Sequence, residues 1–259
     1  MTQTPFYTPI PQRKAPSLEG TTLVIPAVSI GSVPQLAVDL LLHHRALQLV
    51  KVGRLDPAFC FPFVGPSDSV DGDDADVTTA LEVFTNGSLT LIQQRSPVHK
   101  ALSQPYITAL TQWIHHTRFS QVLWLSSIDA AARTDAEFAT PILTLFPSSS
   151  TRSTATLTSL ARTFPRFNPP HAKAAEVPHI PGALLTRRLM QHIATSAIKD
   201  HTAALLYFAA EGDTRPDAHH LASLVLALLS PDSDSPPKLS EPPSWNALFG
   251  RPPTSALYA

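Results

Sequence analysis

Four stretches of this sequence carry side chains whose types and spacing could do chemistry. In "DGDDADVTTALE" (71–82), Asp71, Asp73 and Glu82 take the first, third and twelfth places of an EF-hand loop, where oxygen ligands gather a calcium ion. The rest of that pattern fails. Ala75 stands at a ligand place, Asp76 replaces the glycine of the sharp turn, and a strand-like run follows instead of a helix. The segment reads as a solvated acidic loop. Three histidine doublets, His43-His44, His115-His116 and His219-His220, fall on helical patterns. Adjacent helical residues point about 100° apart, so a doublet does not chelate one ion as an i, i+4 pair does. No metal site is expected.

The third stretch is Ser126-Ser127, which ends an apolar strand where α/β enzymes keep polar groups, with Asp129 just beyond. No G-x-S-x-G elbow surrounds either serine, and with 9 glycines in the whole chain no glycine-rich phosphate cradle is present. Glu211, Gly212 and Asp213 hold a similar place, where Asp213 or Thr214 would cap the helix opened by Pro216. A phosphorylase- or hydrolase-like enzyme using Ser127, Asp129 or Glu211 is the alternative reading. The fourth stretch is "PPTSALYA" (252–259). Leu257, Tyr258 and the carboxylate of Ala259 offer an apolar group, an aromatic alcohol and a charge in sequence, behind two prolines that keep the chain extended. Such a tail either folds back on its own body or enters another protein's pocket.

These groups must be positioned by elements that the composition bounds. With 259 residues and 43% apolar content, the chain can bury one substantial core as a single domain. Its 19 basic and 20 acidic side chains nearly cancel, which gives no electrostatic footprint for nucleic acid. A near-neutral surface is prone to association and points to a partner. Cys60 is the single cysteine, so an internal disulfide is excluded; between Phe59 and Phe61 it reads as a small buried hydrophobe. No stretch reaches the roughly 20 apolar residues of a membrane span, and the N-terminus lacks the apolar run of a signal peptide. The expectation is a soluble protein of the cytoplasm and nucleus.

Proline, at 26 residues, falls mainly between periodic segments. It marks an extended N-terminal arm over residues 1–17, a linker at 231–243 and irregular stretches at 147–159 and 165–181. Near-continuous apolar runs at 21–30, 47–53, 121–127 and 203–210 predict strands buried on both faces of a mostly parallel sheet. Residues 80–96 predict an inserted hairpin, because two alternating runs flank Asn86-Gly87, the pair suited to a type I′ turn. Helical periodicity follows at 34–42, 105–116, 187–199 and 216–229, with Ser32 and Gln35 at capping-box spacing before the first. Strand and helix alternate, which predicts an α/β sandwich with helices on both faces. Trp245, Leu248 and Phe249 are expected to anchor the chain before the tail leaves the body.

The blocks "LVIPAVSIGSVPQLAVDLLL" (23–42), "QVLWLSS" (121–127), "IPGALLTRRL" (180–189), "AALLYFAAEGDTRPDA" (203–218) and "PPSWNALFG" (242–250) resemble, in that order, segments of the proteasome assembly chaperone 2 family. The resemblance covers residues 18 to 250 and contains no catalytic signature. It implies a three-layer α/β sandwich akin to the nucleoside phosphorylase type, without catalysis or cofactor. It also implies a heterodimer with proteasome assembly chaperone 1 that binds the proteasomal alpha ring while the 20S core particle is assembled. Neither nucleic acid nor membrane enters that picture. Leu257, Tyr258 and Ala259 are similar to the hydrophobic-tyrosine-any (HbYX) tails that dock between adjacent alpha subunits.

Overall fold

The sequence builds its sheet from runs with no polar side to turn outward. Residues 5–10, 16–66, 77–147, 154–169, 176–229 and 238–248 are described by a computed structural model. In chain order the larger elements are β1 (Tyr7–Pro9), β2 (Thr22–Pro26), α1 (Val33–His43), β3 (Val50–Leu55), β4 (Val64–Pro66) and β5 (Val77–Thr79). There follow β6 (Leu81–Thr85), β7 (Leu89–Gln94), α2 (Ser103–Thr117), β8 (Gln121–Asp129) and β9 (Ile142–Leu145). The last are α3 (Ala155–Thr163), α4 (Leu184–Ile193), β10 (Thr202–Ala209) and α5 (Arg215–Leu229).

Eight strands form one mixed sheet in the order β1-β3-β6-β7-β2-β8-β10-β9. The four central strands, β7, β2, β8 and β10, run parallel, while β1, β3 and β6 on one flank and β9 on the other pair antiparallel. The expectation of a mostly parallel sheet therefore holds at the centre and gives way at both flanks. Strands β4 and β5 form a separate two-stranded hairpin.

The two faces of the central strands explain the continuous apolar runs. Val122, Trp124 and Ile128 of β8 point to one side with Leu23 and Ile25 of β2 and Leu206 and Phe208 of β10. Helices α2 and α4 cover that side through Tyr106, Leu110, Trp113, Leu189 and Met190. Alternate residues, Leu123, Leu125, Val24, Leu205 and Tyr207, point the other way into a second core. There α1, α3 and α5 supply Leu36, Leu40, Leu157, Leu160, Leu221 and Val225. Three layers result, the central strands being buried on both faces.

Local expectations fare unequally. The hairpin joins β6 to β7 inside the main sheet, but its turn is not type I′. Gly87 alone takes a positive φ (87°), and the Asn86 side chain holds the loop instead, accepting from Ser88 N (2.9 Å) and Leu89 N (2.8 Å). The capping box at Ser32 is not formed. Ser32 is left-handed (φ 53°) with no side-chain cap, and Gln35 reaches away to donate to the Gln94 carbonyl at 2.9 Å. The stretch 147–159, read as irregular, contains the start of α3 (Ala155–Thr163), which is capped by Thr154 accepting from Leu157 N at 3.2 Å.

Candidate functional site

A charge is buried in the middle of α1, in the same core that takes up the Trp245 ring. The helix sequence, "VPQLAVDLLLH", places Asp39 among leucines, and the second core closes over it until 3% of the residue is exposed. A carboxylate there needs partners. Arg95, just past the end of β7, donates from Nη1 to Oδ2 at 2.6 Å, and Gln93 of β7 donates from Nε2 to Oδ1 in a short hydrogen bond. Burial pushes the Asp39 carboxyl above the ordinary carboxylate value, opposed by the Arg95 charge and by hydrogen bonding from Gln93 and Arg95. The Trp245 indole N–H is buried without a hydrogen-bond partner.

Trp245 lies in a 3-10 turn, Pro243–Ala247, that ends the described chain near Leu248. Its ring is 3% exposed and packs into the second core, with Leu239 against the same core. From α5, His219 sets its ring edge-on to the Trp245 ring at 6.3 Å, and its Nε2 lies 3.2 Å from Glu241 Oε1. Arg215 approaches Glu241 at 4.0 Å. Residues 238–248 are thus held by α5 and by the second core. Of the three expected anchors, Trp245 is one, Leu248 is 45% exposed, and Phe249 lies outside the described residues. Leu257, Tyr258 and Ala259 also lie outside them.

Of the residues of the enzymatic alternative, Asp129 caps a turn, Glu211 is exposed, and Ser127 is buried with its hydroxyl without a hydrogen-bond partner. Ser126 and Ser127 have no exposed surface. Trp124 Nε1 donates to Thr186 Oγ1 (3.0 Å), which donates to Ser126 Oγ (2.8 Å), tying β8 to α4. Ser127 N donates to Ser29 Oγ at 2.9 Å, and Asp129 accepts from Ala131 N at 2.9 Å to cap a turn. Glu211 is exposed, and Asp213 is engaged by Arg215, whose Nε lies 2.8 Å away. That contact holds the Asp213 carboxyl below its usual value. Thr214 Oγ1 donates to the Gly31 carbonyl, joining the start of α5 to the loop before α1. An open cleft between α2 and α4 is lined by Gln104, Arg188, Gln191 and His192.

Cys60 is 3% exposed, and burial, helped by the Asp56 charge, pushes its thiol up to about 12. Among the described residues no three His, Cys, Asp or Glu side chains come together as metal ligands, and no helix is long and apolar enough to cross a membrane. Asp71 and Asp73 lie outside the described residues. Glu82 lies within β6, 1% exposed, and accepts from Lys51 Nζ (2.7 Å) and from Thr79 N and Oγ1 (both 3.0 Å).

One surface feature went unseen in the sequence. Phe61, Phe63, Val64 and Val77, around the β4–β5 hairpin, are 37–74% exposed. Clustered apolar exposure of this kind is a mark of protein contact surfaces. The hairpin is fixed to the main sheet by Lys51, which donates to the Val77 carbonyl (3.0 Å) while pairing with Glu82. Each of the four side chains sits in an unremarkable short apolar run, so only the fold distinguishes them from core.

Residues 23–230 match the family model described as the PAC2 family. The chain belongs to the PAC2 family. Among curated PAC2-family relatives, human proteasome assembly chaperone 2 is 32% identical over 264 aligned positions, covering 94% of this chain and 97% of the human protein. The Danio rerio protein of the same name is 31% identical over 247 positions, covering 91% and 94%. Among solved structures, PbaA of Pyrococcus furiosus, an archaeal homolog of proteasome-assembly chaperone, superposes with a TM-score of 0.60 at 13% identity, covering 87% of this chain and 84% of that one. PbaB of the same organism, an archaeal proteasome activator, gives 0.55 at 11% identity, covering 89% and 91%. Both share the α/β fold of this chain. The matched family segment ends at residue 230, so the Trp245 anchor is built from residues beyond it onto α5 and the second core within it.

Proposed function

We propose that this chain is a proteasome assembly chaperone subunit that pairs with proteasome assembly chaperone 1 and binds the alpha ring during 20S core particle assembly. The observation that carries the reading is the similarity, along nearly the full length of both chains, to proteins named proteasome assembly chaperone 2. The reading includes no catalysis and no cofactor, and it places the protein in cytoplasm and nucleus. It is supported by strand-end serines without exposed surface and by exposed apolar side chains of the kind a binding protein presents.

In this reading Leu257, Tyr258 and Ala259 dock between adjacent alpha subunits. The Ala259 carboxylate pairs with a pocket lysine, the Tyr258 hydroxyl hydrogen-bonds at the rim, and Leu257 is buried. Burying a leucine contributes about 1.5–3 kcal/mol, while ordering each flexible side chain costs about 0.5–1.5 kcal/mol and ordering the tail's backbone adds to that cost. One tail alone binds weakly. A second tail on the partner subunit and the contact of the two bodies raise the affinity through effective concentration.

The test is capture of alpha-ring precursors by the heterodimer, with the intact chain and with residues 257–259 deleted. The expected result is pairing with proteasome assembly chaperone 1 in both cases and weaker ring capture after deletion. Equal capture would remove the tail from the mechanism, and failure to pair with the partner would remove the reading as a whole.

A further inference from the structure

The two ends of the main sheet are closed in different ways. At one, the chain after α3 lies along β9: Thr144 N donates to the Pro165 carbonyl at 2.9 Å and Phe167 N to the Thr144 carbonyl at 2.7 Å. At the other, the edge of β3 is covered by residues 5–10 of the N-terminal arm. Tyr7 pairs with Leu55 and Pro9 with Gly53 in antiparallel register, Asp56 N donates to the Phe6 carbonyl (2.8 Å), and Ile10 N donates to the Val52 carbonyl (2.9 Å). Phe6 enters a pocket of Phe59, Tyr106 and Trp113 with ring centroids 5.8–6.3 Å apart, and Tyr7 lies against Trp113 at 5.8 Å. Gly53 makes room for this contact. It has no left-handed backbone angle to explain a glycine, yet a Cβ placed there would come within 2.7 Å of the Tyr7 ring, and its three nearest atoms would all belong to Tyr7.

The arm has the features of a segment that can open on its own. Residues 5–10, "PFYTPI", carry no charge, so no ion pair holds them, and both rings are only half-buried against the first core. β1 is three residues long, Thr8 and Pro9 are exposed, and Pro9 has no N–H to offer a further strand. A short terminal strand opens without unfolding the body. Opening leaves β3 with unpaired backbone groups beside an aromatic groove, a template for strand addition. A second copy carries the same edge, and two such edges can pair antiparallel about a two-fold axis. We propose that the β3 edge, Gly53 and the pocket of Phe59, Tyr106 and Trp113 form a strand-acceptor site for an extended, uncharged segment with two adjacent aromatic residues, and that residues 5–10 are a strap guarding it against a second copy of this chain. The acceptor lies inside the matched family segment, which begins at residue 23, and the strap precedes it. Backbone pairing supplies the grip, while the aromatic pocket and the clearance at Gly53 select the sequence.

The experiment uses the full chain, its Gly53→Ala variant and the double variant Phe6→Asp, Tyr7→Asp, followed by hydrogen exchange and sedimentation velocity. Gly53→Ala puts one methyl group where the Tyr7 ring lies; the double variant puts two carboxylates where the rings lie. In both, the Asp56 amide is expected to exchange at least about tenfold faster, with exchange in β2 and β8 as in the parent. Both are expected to self-associate at concentrations where the parent does not. A peptide of residues 5–10 with blocked ends is expected to bind the double variant and reverse its association, and to bind Gly53→Ala at least about tenfold more weakly. The same peptide with alanine for both aromatics is expected to do neither. Gly53→Ala carries the exchange and association readouts if the double variant fails to fold. Unchanged exchange at Asp56 overturns the strap, and faster exchange with association like the parent's overturns the guard role. A double variant that ignores the peptide, or peptide binding indifferent to Gly53→Ala, overturns the acceptor site.

Discussion

Lys51→Met tests whether the exposed hairpin is oriented by a buried charge. Glu82 is 1% exposed, and Lys51, itself 12% exposed, lies 2.7 Å from its Oε1 while also donating to the Val77 carbonyl at 3.0 Å. Methionine preserves the apolar stem and removes both contacts. Breaking a buried pair by removing one partner costs about 3–5 kcal/mol, because the remaining charge stays desolvated. Glu82 would keep the two Thr79 donors at 3.0 Å and Arg54 at 3.9 Å, so the lower end, about 3 kcal/mol, is expected. For a domain of this size that corresponds to a fall in Tm of about 6–12 °C. Calorimetry on Lys51→Met, Glu82→Gln and the double variant reads it directly. If the buried charge is the cause, Glu82→Gln added to Lys51→Met restores roughly 2 kcal/mol, since a neutral amide tolerates the site better. A loss under about 1 kcal/mol, or a double variant no more stable than Lys51→Met, would refute the reasoning.

Two further outcomes follow from buried titrating groups. With its thiol pushed up to about 12 and 3% exposed, Cys60 should react with a disulfide probe in the folded protein at least about a thousandfold more slowly than in the denatured chain, and comparable rates would contradict its burial. Asp39 has a folded-state value raised mainly by desolvation, so between its unfolded and folded values the native protein holds a proton that the unfolded chain releases. Its contribution to stability is greatest below the ordinary carboxylate value and falls as pH rises through the folded one. Urea unfolding of the parent and of Asp39→Asn should therefore show the parent's relative stability decreasing as pH rises above the ordinary carboxylate value. A relative stability that rises over that range would mean that the Arg95 pairing outweighs desolvation.

The interior was legible where one physical rule dominated. Runs such as "QVLWLSS" are apolar on both sides because β8 lies between two parallel neighbours, and the periodicity of 105–116 follows from a helix with one buried face. The flanks were less legible, because an antiparallel edge strand can be as short as β9, "ILTL", or contain a proline like β1. Helix α3 was hidden by its composition. "ATLTSLART" buries only Leu157 and Leu160, and its serines and threonines match loop chemistry equally well. The anchor was half visible: Trp245 stood out as an aromatic before the tail, whereas nothing local connects it with His219 of α5, or Asp39 with Arg95 56 positions away. The one local signal was an aspartate on the apolar face of a leucine-rich helix, where a lone charge requires partners from elsewhere.

Asp39 and Glu82 share a structural circumstance that explains why charges are buried in this body at all. Each sits where two elements meet: Glu82 where β4 and β5 meet the sheet, Asp39 where α1 lies against the end of β7. A hairpin of two three-residue strands covers too little apolar surface to hold one orientation by burial alone. Charge-assisted hydrogen bonds are directional, and an unpaired buried charge is costly, so such a joint penalises every arrangement but one. The net contribution to stability is small or negative, because desolvation offsets most of the attraction. What the joint gives instead is a defined direction. A protein that presents surfaces to other proteins depends on where its attached segments point, and the Glu82 joint holds the hairpin that carries the exposed Val64 and Val77.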